Sequence, residues 1–90
     1  MATLKKSFGA TVRRLRLAAG LSQEKFAEKA RVSRNFQGSV ERGESSLSLD
    51  VADQFARTLG LLLSQLLAEV ERDARTPRAE TSAKRARRRL

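Results

Sequence analysis

The apolar and polar positions of this chain fall into five amphipathic segments. Phe8, Val12, Leu15 and Ala19 recur at helical spacing and predict a first helix over about residues 5–19, with Lys5, Lys6, Arg13 and Arg14 mostly on other faces. Gly20 ends it, because glycine tolerates the left-handed conformation that closes a helix. Phe26, Ala27 and Ala30 form the inward face of a second helix over residues 23–30. Val40, with part of Phe36, does so for a third over 34–42, stopped by Gly43. Ser48 caps a fourth over 49–58, whose apolar face is Leu49, Ala52, Phe55, Ala56 and Leu59, and Gly60 stops it. Leu63, Leu66, Leu67 and Val70 stripe a fifth over 63–73, preceded by Leu61 and Leu62. The expected fold is all-α, a compact bundle of five helices.

The second and third helices are separated only by Arg31-Val32-Ser33, and they open with Ser22-Gln23-Glu24 and Ser33-Arg34-Asn35. Serine at such an opening caps a helix by accepting a hydrogen bond from a free backbone N–H. Two helices joined this tightly make a helix-turn-helix, whose second helix is able to enter the major groove of DNA. On that helix Arg34, Asn35, Gly38, Ser39 and Arg42 share one side, and none is a large apolar residue. Arginine donates two bonds to guanine O6 and N7, and asparagine pairs with adenine N6 and N7. The candidate DNA-facing set is Gln23, Arg31, Ser33, Arg34, Asn35, Phe36, Gly38, Ser39 and Arg42. Gly38 would allow close approach to the duplex, and Ser39 and Arg42 would bond a base or a phosphate. Gln23, at the head of the second helix, would meet a phosphate beside the free N–H groups there. The plain alternative is that Arg34 and Asn35 are merely solvated and Gln23 is an ordinary first-turn polar residue. Phe36 is either a core anchor or a contact for a thymine methyl, and the second is favoured because Val40 already serves the next buried position.

Composition changes this picture in part. Ninety residues make one small domain with a modest core, and four Phe with no Trp or Tyr leave the packing to Leu, Val, Ala and those rings. Lys and Arg number 19 against 10 Asp and Glu, a net charge of +9 that predicts a polyanionic partner, nucleic acid before anionic membrane. The charge is uneven: residues 1–71 hold 11 basic and 8 acidic side chains, residues 72–90 hold 8 and 2. Net charge therefore does not by itself mark the folded part as a DNA binder. The expected division is a helix-turn-helix domain over 1–73 and a disordered basic tail over 74–90, where periodicity is lost and Pro77 breaks any helix. The tail, with Lys84, Arg85, Arg87, Arg88 and Arg89, would reach further phosphates or serve only solubility.

With no Cys and no His, disulfides, thiolate or imidazole zinc sites and His-based acid–base chemistry are excluded. No cluster of titratable groups, phosphate-binding glycine loop or metal-ligand set is evident, so neither enzymatic activity nor a cofactor, metal or small-molecule ligand is expected. The longest apolar stretch, residues 59–67, is broken by Gly60, Ser64 and Gln65 and is too short to cross a bilayer. A cytoplasmic protein is expected. The fifth segment carries more apolar surface than a small core needs, which predicts a homodimer contact through Leu62, Leu63, Leu66 and Val70. The alternative is a helix packed on its own core.

Arg13-Arg14-Leu15-Arg16, Gly20-Leu21-Ser22-Gln23-Glu24, Phe26-Ala27, Val32-Ser33-Arg34, Ser39-Val40-Glu41-Arg42-Gly43, Ser48-Leu49 and Leu59-Gly60 match in order and spacing a known pattern over residues 8–67. They resemble the Cro and lambda-repressor (Xre) family of helix-turn-helix regulators. The resemblance implies a five-helix bundle that binds a roughly palindromic operator as a dimer. Residues 38–43 and the Leu47-bearing loop look most like controller proteins of restriction-modification systems. An ion pair between Arg16 and Glu41 is implied as well, which suits a Glu on an inward stripe. Five positions depart from the pattern. Arg31 stands where Gly is usual in the turn, costing roughly 1 kcal/mol if left-handed, and it would recover some of this at a phosphate. Gln37 replaces a buried Ile or Val and is expected to bond Glu41, Arg16 or water, unless a tilted helix turns it towards DNA. Ser45 and Ser46 replace longer polar residues, which argues against phosphate binding by that loop. Leu62 takes a cap position, so the fifth helix should start less cleanly. Glu24 and Glu28 are candidate contacts for RNA polymerase. Other readings are an antitoxin-type autoregulator that also binds a protein partner, and a non-specific RNA or membrane-surface binder driven by the tail.

Overall fold

The structure, a computed structural model, describes residues 3–75. Its helices are α1 (Leu4–Ala18), α2 (Gln23–Ala30), α3 (Arg34–Glu41), α4 (Leu49–Thr58) and α5 (Leu63–Arg75), with no strand among the described residues. The first four begin alike. The hydroxyls of Thr3, Ser22, Ser33 and Ser48 accept the N–H of Lys6, Lys25, Phe36 and Val51, at 3.0–3.2 Å. Each cap residue is extended, so the chain turns into its helix with one otherwise orphaned donor satisfied. Helix α5 lacks such a hydroxyl, as the leucine at position 62 predicts. Gln65 supplies the missing half from inside the helix, its Oε1 accepting the Leu62 N–H at 2.8 Å.

The same four helices also end alike. Leu21, Val32, Glu44 and Leu61 donate their N–H back across a left-handed residue to the carbonyls of Arg16, Ala27, Ser39 and Ala56. This closure requires positive φ at one position. Three of the closures use glycine, and the one between α2 and α3 uses Arg31, at φ 65° and ψ 42°. The expected left-handed turn is present, and a side chain occupies it where a Cβ is disfavoured.

The core lies where α1, α2, α3, α4 and α5 meet around Phe55. Phe26 stands edge-on to Phe55 with ring centroids 5.3 Å apart, and Phe8 is tilted against it at 6.3 Å. Val12, Ala30, Val40, Ala52, Ala56, Leu66 and Val70 complete the cluster. Burying a large apolar side chain of this kind contributes about 1.5–3 kcal/mol, so three Phe rings carry much of a small core. Helix α1 packs on α3 and α5, and α2 packs on α3 and α4. Arg14 ties α1 to α5 by bonding Asp73 through Nε and Glu69 through Nη2, while the Thr11 hydroxyl donates to Asp73 at 2.8 Å.

Several expected positions are corrected. Ala19 follows α1 as its cap and is exposed. Leu49, in the first turn of α4, is 76% exposed rather than inward. Leu66 and Val70 are fully buried in the core of the single chain, so they are not available to a second copy, whereas Leu62 is exposed and Leu63 only partly buried. Helix α5 runs to Arg75, two residues beyond its expected end, and the remainder of the basic tail lies outside the described residues.

Candidate nucleic-acid interface

Helix α3 presents two kinds of surface. Its first turn carries Arg34 and Asn35, both exposed, and no acidic residue. At helical spacing Arg34, Gly38 and Arg42 lie one above another, so they form a single stripe. Arg42 is exposed, and its Nε bonds Glu44 Oε1 at 3.1 Å. The α2 helix meets this stripe at its middle: a Cβ built on Gly38 would stand 3.1 Å from Arg42 Nη1 and 3.7 Å from Gln23 Oε1. Gln23 and Arg42 thus converge over the bare backbone of Gly38, and Arg34 leads the same stripe. A guanidinium, a carboxamide and a second guanidinium on one face offer donors for base edges and phosphate oxygens.

Not every residue expected to face DNA is free to do so. Gly38 is buried beneath side chains of its own chain, so it makes room for Gln23 and Arg42 rather than for the duplex. The Ser39 hydroxyl donates to the Phe36 carbonyl at 2.9 Å and also meets the Ser45 hydroxyl, which spends its only proton internally. Phe36 is partly buried and packs on the core, nearer to the anchor reading than to the thymine-contact reading. Ser33 caps α3, and Arg31 is exposed in the turn.

Behind the stripe lies a buried polar cluster. Arg16 grips Glu41 in a two-pronged pair, Nε to Oε2 at 2.7 Å and Nη2 to Oε1 at 2.9 Å, and its Nη1 donates to the Leu21 carbonyl at 2.8 Å. Both side chains are almost fully buried, at 7% and 2% exposure. The implied ion pair is present and ties α1 to α3. Gln37, fully buried, donates Nε2 to Glu41 Oε2 at 2.8 Å. It bonds Glu41 as expected and does not turn towards DNA. Its orientation is fixed by chemistry, because the nitrogen must face the carboxylate, and this leaves Oε1 buried with no partner among the described residues. Gln23 Nε2 donates to Glu41 Oε1 at 3.1 Å. Burial pushes the Glu41 carboxyl up, and the bonds from Arg16, Gln37 and Gln23 outweigh this and hold it below the ordinary carboxylate range. Sequence reasoning did not foresee the Gln23–Glu41 bond. The residues lie 18 positions apart on different helices, and no periodicity links them. The sequence carries no signal for the bond beyond the polar character of Gln23 and Glu41 themselves.

The helix-turn-helix domain family matches residues 7–74. Control protein C.MunI of a Mycoplasma species is 32% identical over 81% of this chain and its own whole length. The chain belongs to the helix-turn-helix control-protein family. Control protein C.BamHI of Bacillus amyloliquefaciens is 36% identical over 67% of the chain and 75% of its own length. Among solved structures, the restriction-modification controller C.AhdI of Aeromonas hydrophila matches with a TM-score of 0.65 and 38% identity, covering 68% of this chain and 92% of its own. The control-family assignment makes this a helix-turn-helix DNA-binding regulator, in agreement with the resemblance seen in the sequence. No helix among the described residues is long and apolar enough to cross a membrane.

Proposed function

We propose that this control-family chain is a sequence-specific transcription regulator of a restriction-modification operon, binding a roughly palindromic operator as a homodimer with α3 of each copy in the major groove. The observation that carries this reading is the exposed Arg34-Asn35 pair on the first turn of α3, where side chains reach furthest into the groove. Arg34 reads guanine and Asn35 adenine. Gln23 and Arg42 hold flanking phosphates, and Arg31 adds charge beside the turn. Leu62, 64% exposed, and Leu17, 51% exposed, are the large apolar side chains left to water at the turn into α5 and the end of α1. With partly buried Leu63 they supply the contact between copies. A twofold arrangement sets the two α3 helices about 34 Å apart, one turn of DNA.

Selection from random duplexes, with sequencing of the bound fraction, tests this reading. The expected product is an inverted repeat with half-sites roughly 10 base pairs apart, bound by a species of twice the monomer mass in analytical ultracentrifugation. Recovery of no inverted repeat would sink the reading.

A further inference from the structure

Gln23 stands on the surface yet is held from the inside. A glutamine at a helix head ordinarily samples many rotamers, and ordering it on a ligand costs entropy. Here its Nε2 is fastened to Glu41 Oε1 at 3.1 Å, while its Oε1 lies over Gly38. Glu41 itself has no freedom to swing. Oε1 accepts Arg16 Nη2 and Gln23 Nε2, and Oε2 accepts Arg16 Nε and Gln37 Nε2. A carboxylate has about four lone-pair sites, and four donors fill them. The Arg16–Glu41 pair carries no net charge, so it brings little repulsion to a nearby phosphate. The second Nε2 proton of Gln23 remains for an oxygen outside the protein, beside the free N–H groups of the first turn of α2.

Given the DNA-binding reading above, on which this rests, we propose that Glu41 is a positioning residue for DNA: its buried carboxylate presets the Gln23 carboxamide at the head of α2 for a backbone phosphate, with Gln37 completing the grip on the carboxylate. The buried Gln37 Oε1 is the accompanying defect. Gln37 turns its nitrogen to Glu41 and leaves its oxygen unanswered. The ion pair then does two things, joining α1 to α3 and reaching through Gln23 to the phosphate backbone, and base choice stays with Arg34 and Asn35.

A double-mutant cycle on DNA affinity tests the role. Arg16→Met/Gln37→Leu/Glu41→Leu replaces the polar cluster with apolar side chains, a change that buried ion pairs often tolerate, and leaves Gln23 without its anchor. Gln23→Ala should weaken binding to the selected duplex roughly tenfold in the native background and less than about threefold in the apolar one, with the preferred sequence unchanged in both. Equal losses in the two backgrounds would make Glu41 purely structural and overturn the proposal. No loss from Gln23→Ala in the native background, with Arg34→Ala still damaging, would also overturn it while leaving the DNA-binding reading intact. Failure of the native protein to select any duplex would instead remove that reading. A second measurement is independent of whether the apolar core folds. In the free native protein the NMR order parameter of the Gln23 carboxamide should be close to that of the α2 backbone, and the value of a freely rotating surface glutamine overturns the positioning role.

Discussion

At the head of α3, Arg34 and Asn35 stand in water. One and two turns further along, Gln37 and Glu41 are sunk among other side chains, and both carboxylate oxygens of Glu41 are claimed. The same short helix therefore has a surface end, chosen for what it could touch, and an interior end, chosen for what it must hold. The difference separates two consequences of mutation that are often confused. Losses at the head should appear in binding with the fold untouched, and losses at the other end should appear in stability first.

The largest expected effect breaks the interior end. Glu41→Ala leaves the Arg16 guanidinium buried without its countercharge, which costs about 3–5 kcal/mol. Urea unfolding measures it, and a loss below about 1 kcal/mol would mean the pair behaves like a surface contact. The pH dependence carries the same signature. The folded-state pKa of Glu41 is depressed, so the carboxylate's contribution is complete above the ordinary carboxylate range, about pH 4, and is lost as pH falls through the lower folded value. Native protein should lose stability on acidification more steeply than Glu41→Gln does.

A smaller effect sharpens the contrast at the surface end. Arg34→Ala should change unfolding free energy by less than about 0.5 kcal/mol, yet weaken the selected duplex by about 1–3 kcal/mol and relax base choice at one position. Equilibrium unfolding and binding titrations on one preparation separate the two. An equal fall in affinity for all sequences would reassign Arg34 to a phosphate.

The smallest effect lies in the turn between α2 and α3. Arg31→Gly relieves a side chain held at φ 65° and should raise stability by up to about 1 kcal/mol, read as a rise in melting temperature. If Arg31 also meets a phosphate, the same change reduces the salt slope of binding by about one unit. A more stable variant with an unaltered slope would assign the residue to neither end.

The ends of the helices were the most legible part of the sequence, because they are decided locally. Ser22, Ser33 and Ser48 announce three starts, and Gly20, Gly43 and Gly60 three stops, within a few residues of where the backbone bonds fall. Burial was less legible, because a period of 3.6 says which residues share a face but not how far a neighbouring helix covers it. Leu49 satisfies the period and still projects into water from the first turn of α4. Leu66 and Val70 lie on the stripe of α5 that this same chain covers completely. At the candidate interface, the outward placement of Arg34 and Asn35 was readable from helical spacing alone. The fate of Gly38, Ser39 and Gln23 was not, since each is settled by a partner on another turn, loop or helix.

Helix α1 reaches α3 through a bare spot. A Cβ built on Gly9 would collide with the Val40 carbonyl oxygen and crowd the Glu41 backbone, so main chain rests against main chain there. The posture of α3 is consequently set by contact that no rotamer change can adjust. On the proposed reading, substitution of the two exposed residues at its head would change the operator while leaving the angle of the helix and the bundle beneath it as they are.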